Sequence, residues 1–595
     1  MRNLTGLIIL LAGVVVATAA AETVEEMLVR AAELEAADKL AEAVQLYGEI
    51  LEQYPDHAPA YNNFGALLLK GGKVEEAKYA FQKAAELDPE YDTPLNNLGY
   101  IYLFIEEDYE QAGPPLLAAA EMNPNNESAL NNLRWYYIVQ DRYEEAAVEW
   151  EKLARLAPDN ARLKRDLAGI YLKLGDYEAA EKWARATLAL DAADVDARLN
   201  LAFAYRATGR LTEAEKILVK LSRAEPDNVD VWVALRDVYF ASGQAEKALE
   251  AAQKVIELQA EDPIPDDYLA LARVYYDLRQ YEDGLAACDR ALALPGGDTA
   301  AARNLKGWGL FLDGRLKEAE AELSLAIARE DRFADAHRNL GDVYYQEWQF
   351  EQALVHFEKA YALDPRDARA LVMSGYCYYQ GGAVDKAEEV FDKALTEFPD
   401  NVKALNGKAA VVRARGDVAG ALGYSEKALE ISPGNAEALN TAGVLAAEVG
   451  DYEGSYEYLE RLVALEPGPA YAYSNFGVAA ARTGRWEEAR QAFLTAVGKD
   501  AGDFQALAGG ALASAKLGLG AEAEEALEGA EARSPDNPIV LYARALLAEA
   551  RGQETARREY LDRLAEVRRE WEAAGAVADV LTELVFEEMP APPEE

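Results

Sequence analysis

Apolar positions in this chain recur at helical spacing and are interrupted at regular intervals. Tyr61, Phe64, Leu67 and Leu68 fall on one side of a helix. The Gly71-Gly72-Lys73 turn that follows supplies a left-handed helix stop. A second helix is predicted from the Glu75-Glu76-Ala77 region, with acids at its start, where the helix dipole favours them. It should end at Leu87-Asp88-Pro89, because proline cannot continue a helix interior. The same close appears at Leu363-Asp364-Pro365.

The two-helix unit repeats along the chain. The small residue ending each "GDYEAA"-like phrase stands at 43, 77, 112, 146, 180, 214, 248, 284, 319, 353, 387, 421, 455, 489 and 523. The step is 34 in eleven of fourteen cases and 35 or 36 in the others, and a sixteenth, weaker copy turns at Gly552. Gly284 and Ser455 replace Ala and are still small. Gly65, Gly99, Gly341, Gly375, Gly443 and Gly477 recur twelve or thirteen residues before the ladder residue. They should let the two helices approach closely, with Phe81, Phe357, Phe391 and Phe493 filling the space between. Ala84, Ala360, Ala394, Ala428 and Ala496 should admit the next copy.

This pattern resembles the tetratricopeptide repeat (TPR) family. Tyr61, Phe64-Gly65, Ala77, Phe81, Ala84 and Pro89 carry the match, as do His337, Leu340-Gly341, Tyr344, Ala353, Phe357, Ala360 and Pro365. The resemblance implies an all-α, right-handed superhelical solenoid of 15 or 16 repeats whose first helices line the concave side. Insertions divide the repeats into an array over 24–260, a looser joint over 261–298 and a second array over 299–570. The insertions "AEDPIPDD" and "LPGGD" mark the joint. Gly509-Gly510 and Gly518 to Gly520 read as turns in the copy at Ala523. Residues 571–589 read as one final helix covering the last interface, and 590–595 as a frayed tail.

The implied groove face carries amides, aromatics and one arginine. Asn62, Asn63, Asn96, Asn97, Tyr100 and Phe104 come first, then Asn131, Asn132 and Trp135, then Asn200 and Phe203. Further on stand Asn304, Trp308, Phe311, Arg338, Asn339, Tyr345, Tyr376, Tyr379 and Asn475. An amide donates and accepts at once, so a row of them either clamps an extended peptide backbone or bonds the adjacent repeat. The row resembles the asparagine ladder of TPR arms in protein-glycosylating enzymes. The aromatics offer flat contact area to a partner or pack between repeats.

Charge narrows the partners. With 105 acidic and 60 basic residues the formal net charge is -45, which argues against nucleic acid and anionic lipid surfaces. Cys288 and Cys377 form no CxxC pair, and His57, His337 and His356 have no ligand spacing, so no metal or cofactor is expected. Nucleotide-binding, HExxH and GxSxG motifs are missing from the sequence, and no enzyme activity is expected. The start of the chain has Arg2, an apolar run from Leu4 to Val16 and Ala19-Ala20-Ala21 before Glu22. It reads as a signal peptide over 1–21, with an uncleaved anchor as the alternative. The expectation is an exported, periplasmic or secreted scaffold that binds proteins or extended peptides. Its alternatives are the recruiting arm of a separate glycosyltransferase-type enzyme and a polysaccharide binder.

Overall fold

The computed structural model describes residues 22–465, 468–574 and 578–589. The expected signal peptide and the 590–595 tail lie outside them. The described residues hold 33 helices and no strand. They divide into two compact units, one reaching Leu278 and the other starting at Arg279, a division that falls within 261–298.

In the first unit the helices run in pairs: α1–α2 (Val24–Ala36, Leu40–Gln53), α3–α4 (Ala58–Lys70, Val74–Leu87), α5–α6 (Asp92–Phe104, Tyr109–Met122) and α7–α8 (Glu127–Ile138, Tyr143–Leu156). They continue as α9–α10 (Ala161–Leu174, Tyr177–Leu190), α11–α12 (Val195–Ala207, Leu211–Ala224), α13–α14 (Val229–Ala241, Ala245–Leu258) and α15 (Pro265–Asp277). The second unit holds α16 (Tyr281–Ala293), α17–α18 (Ala300–Leu312, Leu316–Arg329), α19–α20 (Ala334–Gln346, Phe350–Leu363), α21–α22 (Ala368–Gln380, Val384–Glu397) and α23–α24 (Val402–Ala414, Val418–Ile431). It ends with α25–α26 (Ala436–Glu448, Tyr452–Val463), α27–α28 (Ala470–Arg482, Trp486–Lys499), α29–α30 (Phe504–Lys516, Gly520–Glu531), α31–α32 (Pro538–Ala550, Glu554–Ala574) and α33 (Val580–Glu588).

Local chemistry sets these bounds. Many first helices begin at Asn or Asp caps whose side chains accept a backbone N–H, as at Asn126, Asp194, Asp367 and Asn435. First helices end in a left-handed residue five places before the ladder residue. At Gly72 (φ 73°) the Lys73 N–H donates to the Leu68 carbonyl at 2.9 Å and the Gly72 N–H to the Leu69 carbonyl at 2.9 Å. Five copies put an L-residue in that conformation: Asp38, Glu107, Asp141, Arg279 and Trp348.

The cores form where the sequence pattern places them. A Cβ on Gly65 would meet the Phe81 ring at 2.8 Å, and one on Gly341 would meet Phe357 at 2.8 Å. The ladder alanines and Ala84, Ala360, Ala394, Ala428 and Ala496 are fully buried. Two readings need correction. Gly509 and Gly510 lie inside α29, because the Phe493 ring packs against Gly509 and leaves no room for a side chain. The single helix expected from Trp571 is two elements. Trp571 belongs to the 21-residue α32, and α33 packs on α31 and α32 of the last pair and reaches back to α27.

Candidate functional site

Successive first helices touch one another, as α3 with α5, α5 with α7, α9 with α11, α17 with α19, α21 with α23 and α29 with α31. No two second helices make comparable contact among the described residues. The first-helix row is therefore the tighter, inner side of the curve within each unit, and the expected groove residues stand on that row.

The amides bond neighbouring repeats. Asn97 donates to Asn62 at 3.0 Å, Asn132 to Asn96 at 2.9 Å, Asn339 to Asn304 at 2.9 Å and Asn475 to Asn440 at 2.9 Å. Asn200 donates to the Arg165 carbonyl at 3.2 Å, and Asn62 to Asn63 at 3.3 Å. Asn62, Asn96, Asn132 and Asn339 are buried, and Asn131 is half-buried. These bonds join neighbouring repeats along the row. Asn132→Ala strands the buried Asn96 oxygen and is expected to lower stability by about 1–2 kcal/mol in urea unfolding. An unchanged midpoint would count against a stabilising role for that bond.

In the second unit the inner face is filled by its own side chains. Trp308 stacks on Phe311 at 5.2 Å, and the Arg369 guanidinium lies 5.7 Å from the Trp308 ring. Arg369 pairs with Asp342 at 2.7 Å, and Arg338 pairs with Asp367 at 2.8 Å. Burial pushes the Asp342 carboxyl up, and Arg369 opposes the shift. Tyr345 meets Phe350 edge-on at 5.4 Å, and Tyr379 packs against the core around Phe391. The Tyr376 hydroxyl sits 3.1 Å from the Lys403 carbonyl and 3.2 Å from the Glu437 carboxylate, and burial and then Glu437 raise its pKa. These bridges tie α19, α21, α23 and α25 together across the face.

The first unit differs. Tyr100 (41% exposed), Phe104 (42%) and Trp135 (40%) stand open on the adjoining helices α5 and α7, with Tyr100 and Phe104 in contact at 5.2 Å. Phe203 is half-buried against its own core. Next to Trp135 lies a residue the expected groove set omitted. Arg134 is 5% exposed, with its guanidinium 5.1 Å from the Trp135 ring and 3.9 Å from that of Trp150. No carboxylate pairs with it among the described residues, and neither its Nε nor the Trp150 indole N–H has an acceptor. Burial pulls its pKa down to about 10, partly offset by Asp166. The sequence did contain a signal. Arg134 stands twelve residues before Ala146, where other copies have Gly65 or Gly341.

The described residues contain no group of three or more metal-ligating side chains placed to hold an ion, and no helix long and apolar enough to cross a membrane. One titratable pair matters for stability. His337 Nε2 lies 3.1 Å from the Asp331 carbonyl, so it donates there, and His337 Nδ1 accepts from His356 Nδ1 at 3.0 Å. Burial, then His337, brings the His356 pKa down to about 4. The unfolded chain takes that proton near pH 6.5, whereas the folded chain resists it to about 4. Stability is therefore full above pH 6.5 and should fall by about 1–2 kcal/mol as the pH drops through that window, after allowance for partial solvation. Urea midpoints across the window should decline less in His356→Gln, and an equal decline would assign the effect elsewhere.

Comparisons with known proteins identify the repeat family. A family model described as tetratricopeptide repeat matches residues 132–197, 269–336, 338–402, 389–436 and 440–504. Three further models of the same description match 184–228, 46–79 and 26–57. A TPR repeat-containing protein, MJ1428 of Methanocaldococcus jannaschii, is 26% identical over 138 residues, 22% of this chain and 23% of that protein. Protein O-mannosyl-transferase TMTC3 of Mus musculus is 41% identical over 69 residues, 12% of this chain and 8% of that protein. The chain thus matches less than a quarter of the length of either relative. Among solved structures, the APC/C hetero-tetramer Cut9-Hcn1 is similar with a TM-score of 0.38 and 13% identity, over 77% of this chain and 96% of the other. Yeast Tom70 is similar with a TM-score of 0.40 and 17% identity, over 72% and 96%.

Proposed function

Because the chain belongs to the tetratricopeptide repeat family, we propose that it is a non-catalytic scaffold of the cell envelope that holds partner proteins on the inner face of its first unit. The observation that carries this reading is the open aromatic strip of Tyr100, Phe104 and Trp135. Flat side chains that are already exposed give a partner large contact area at low entropic cost. Arg134 beside them is a buried cation without an anion, so a partner segment bearing a carboxylate gains most there. The second unit's inner face, bridged by Arg338–Asp367, Arg369–Asp342 and Tyr376–Glu437, offers less open surface.

The envelope setting rests on the signal-like start of the sequence, and secretion, polysaccharide export and motility assemblies are the settings it suits. The enzyme-arm alternative draws on a peptide-clamping amide row, and the bonds between repeats already engage part of that row's hydrogen-bonding capacity. The polysaccharide alternative uses the same aromatic strip and is separated from protein binding by the same experiment. Cross-linking in envelope fractions, followed by mass spectrometry, compares the native protein with Phe104→Ser/Trp135→Ser. A protein cross-linked to α5 or α7 in the native chain and lost in a folded variant supports the reading. Unchanged cross-links, or glycan in place of protein, would refute it.

A further inference from the structure

The last described helix breaks the order of the stack. α33 touches α27 and α31, two first helices with α29 between them, so it lies across the inner face of the last repeats, and its Phe586 also meets Trp571 and Arg568 of α32. Leu581, Leu584 and Val585 bury its apolar side in the cluster that also holds Leu512, Val540 and Leu547. Its acidic end meets two cations at the last residues of α27 and α29. Arg482 pairs with Glu587 at 2.9 Å and Lys516 with Glu588 at 2.6 Å. The Arg482 side chain is only 4% exposed and also lies 3.9 Å from the Tyr452 ring.

A nine-residue helix is not stable alone in water, so α33 owes its shape to this seat. Anchors at i, i+3 and i+4 laid into a row of helices are the mark of helix-in-groove recognition. When α33 leaves, Arg482 and Lys516 lose these carboxylates. A helix without acids would not replace them, and one with acids would.

We infer that the inner face of α27, α29 and α31 is a helix-binding groove held closed by the chain's own α33. It takes a partner protein's short amphipathic helix with three apolar anchors followed by two carboxylates. Such a partner competes with α33, and its apparent affinity is reduced by the fraction of chains in which the groove is closed. This surface is separate from the aromatic strip of the first unit, and it stands or falls on its own residues.

The test uses the full chain and a labelled synthetic peptide of residues 578–589. In Leu581→Glu/Val585→Glu the seated helix is released while α27, α29 and α31 are unaltered. The peptide should bind this variant at least about ten-fold more tightly than the native chain. A peptide with glutamine at both 587 and 588 should bind the variant about ten-fold more weakly than the native peptide. Equal binding to both proteins, equal binding of both peptides, or no binding to a folded variant overturns the inference. Hydrogen exchange on the native chain tests it without substitution: α33 amides should exchange at least about ten-fold faster than those of α31, since a closing element must open on its own. Equal protection would make α33 part of the repeat core and would also overturn it.

Discussion

Phe391→Ala is expected to remove about 3–5 kcal/mol of stability from the second unit. The ring is fully buried, faces Gly375 of its own repeat and Gly407 of the next, and meets Tyr376 edge-on at 5.3 Å. Truncation empties a space bounded by helix backbones, which cannot collapse to fill it. Repeats contact their sequence neighbours, so the loss should be local. Hydrogen exchange should rise across α21 to α24 while α29 and α31 keep their protection. A drop below about 1 kcal/mol in urea unfolding would mean that Phe391 does not fill the space between these repeats.

Gly375→Val should cost about 3 kcal/mol, although valine is a better helix former than glycine. Even a first carbon at this position would lie 2.7 Å from the Phe391 ring. The ring has little room to retreat, because Gly407 of the next repeat also packs against it. The two positions should therefore be coupled. In Gly375→Val/Phe391→Ala the combined loss should fall short of the sum of the single losses by at least about 1 kcal/mol. Other copies of the chain already use a reduced pair, with Ala202 facing the Leu218 place and Ala409 the Ser425 place, all four buried. Additive losses would rule out the steric account.

These cores were legible in the sequence because each repeat states the same contact again. The glycine twelve places before a ladder alanine and the phenylalanine four places after it recur until their pairing is the simplest reading. The inner face was less legible. Asn96 and Asn132 could be placed on the first-helix row, but periodicity does not say whether an amide bonds a ligand or the next repeat. The bond between repeats depends on how closely adjoining helices approach, and at 2.9 Å Asn132 does reach Asn96. Tyr376 was placed correctly on the row, but its reach to Glu437 of α25 spans 61 residues, beyond any local pattern. Arg134 was missed because the repeat frame assigns its place to packing, where a charged residue breaks the rule. The end of the chain misled for a related reason. "WEAAGAVADVLTELVFEEM" has helical composition throughout, and the return of α33 to α27 is a tertiary contact.

The left-handed turns have a consequence for engineering. At Asp38, Glu107, Asp141, Arg279 and Trp348 an ordinary side chain holds a backbone conformation that glycine adopts freely, at a cost of about 1 kcal/mol each. Trp348 adds a bulky ring that is 77% exposed. The chain therefore carries an unused stability margin at five turns between its helices. Repeat arrays built from this sequence could recover it one turn at a time, leaving the cores and inner faces as they are.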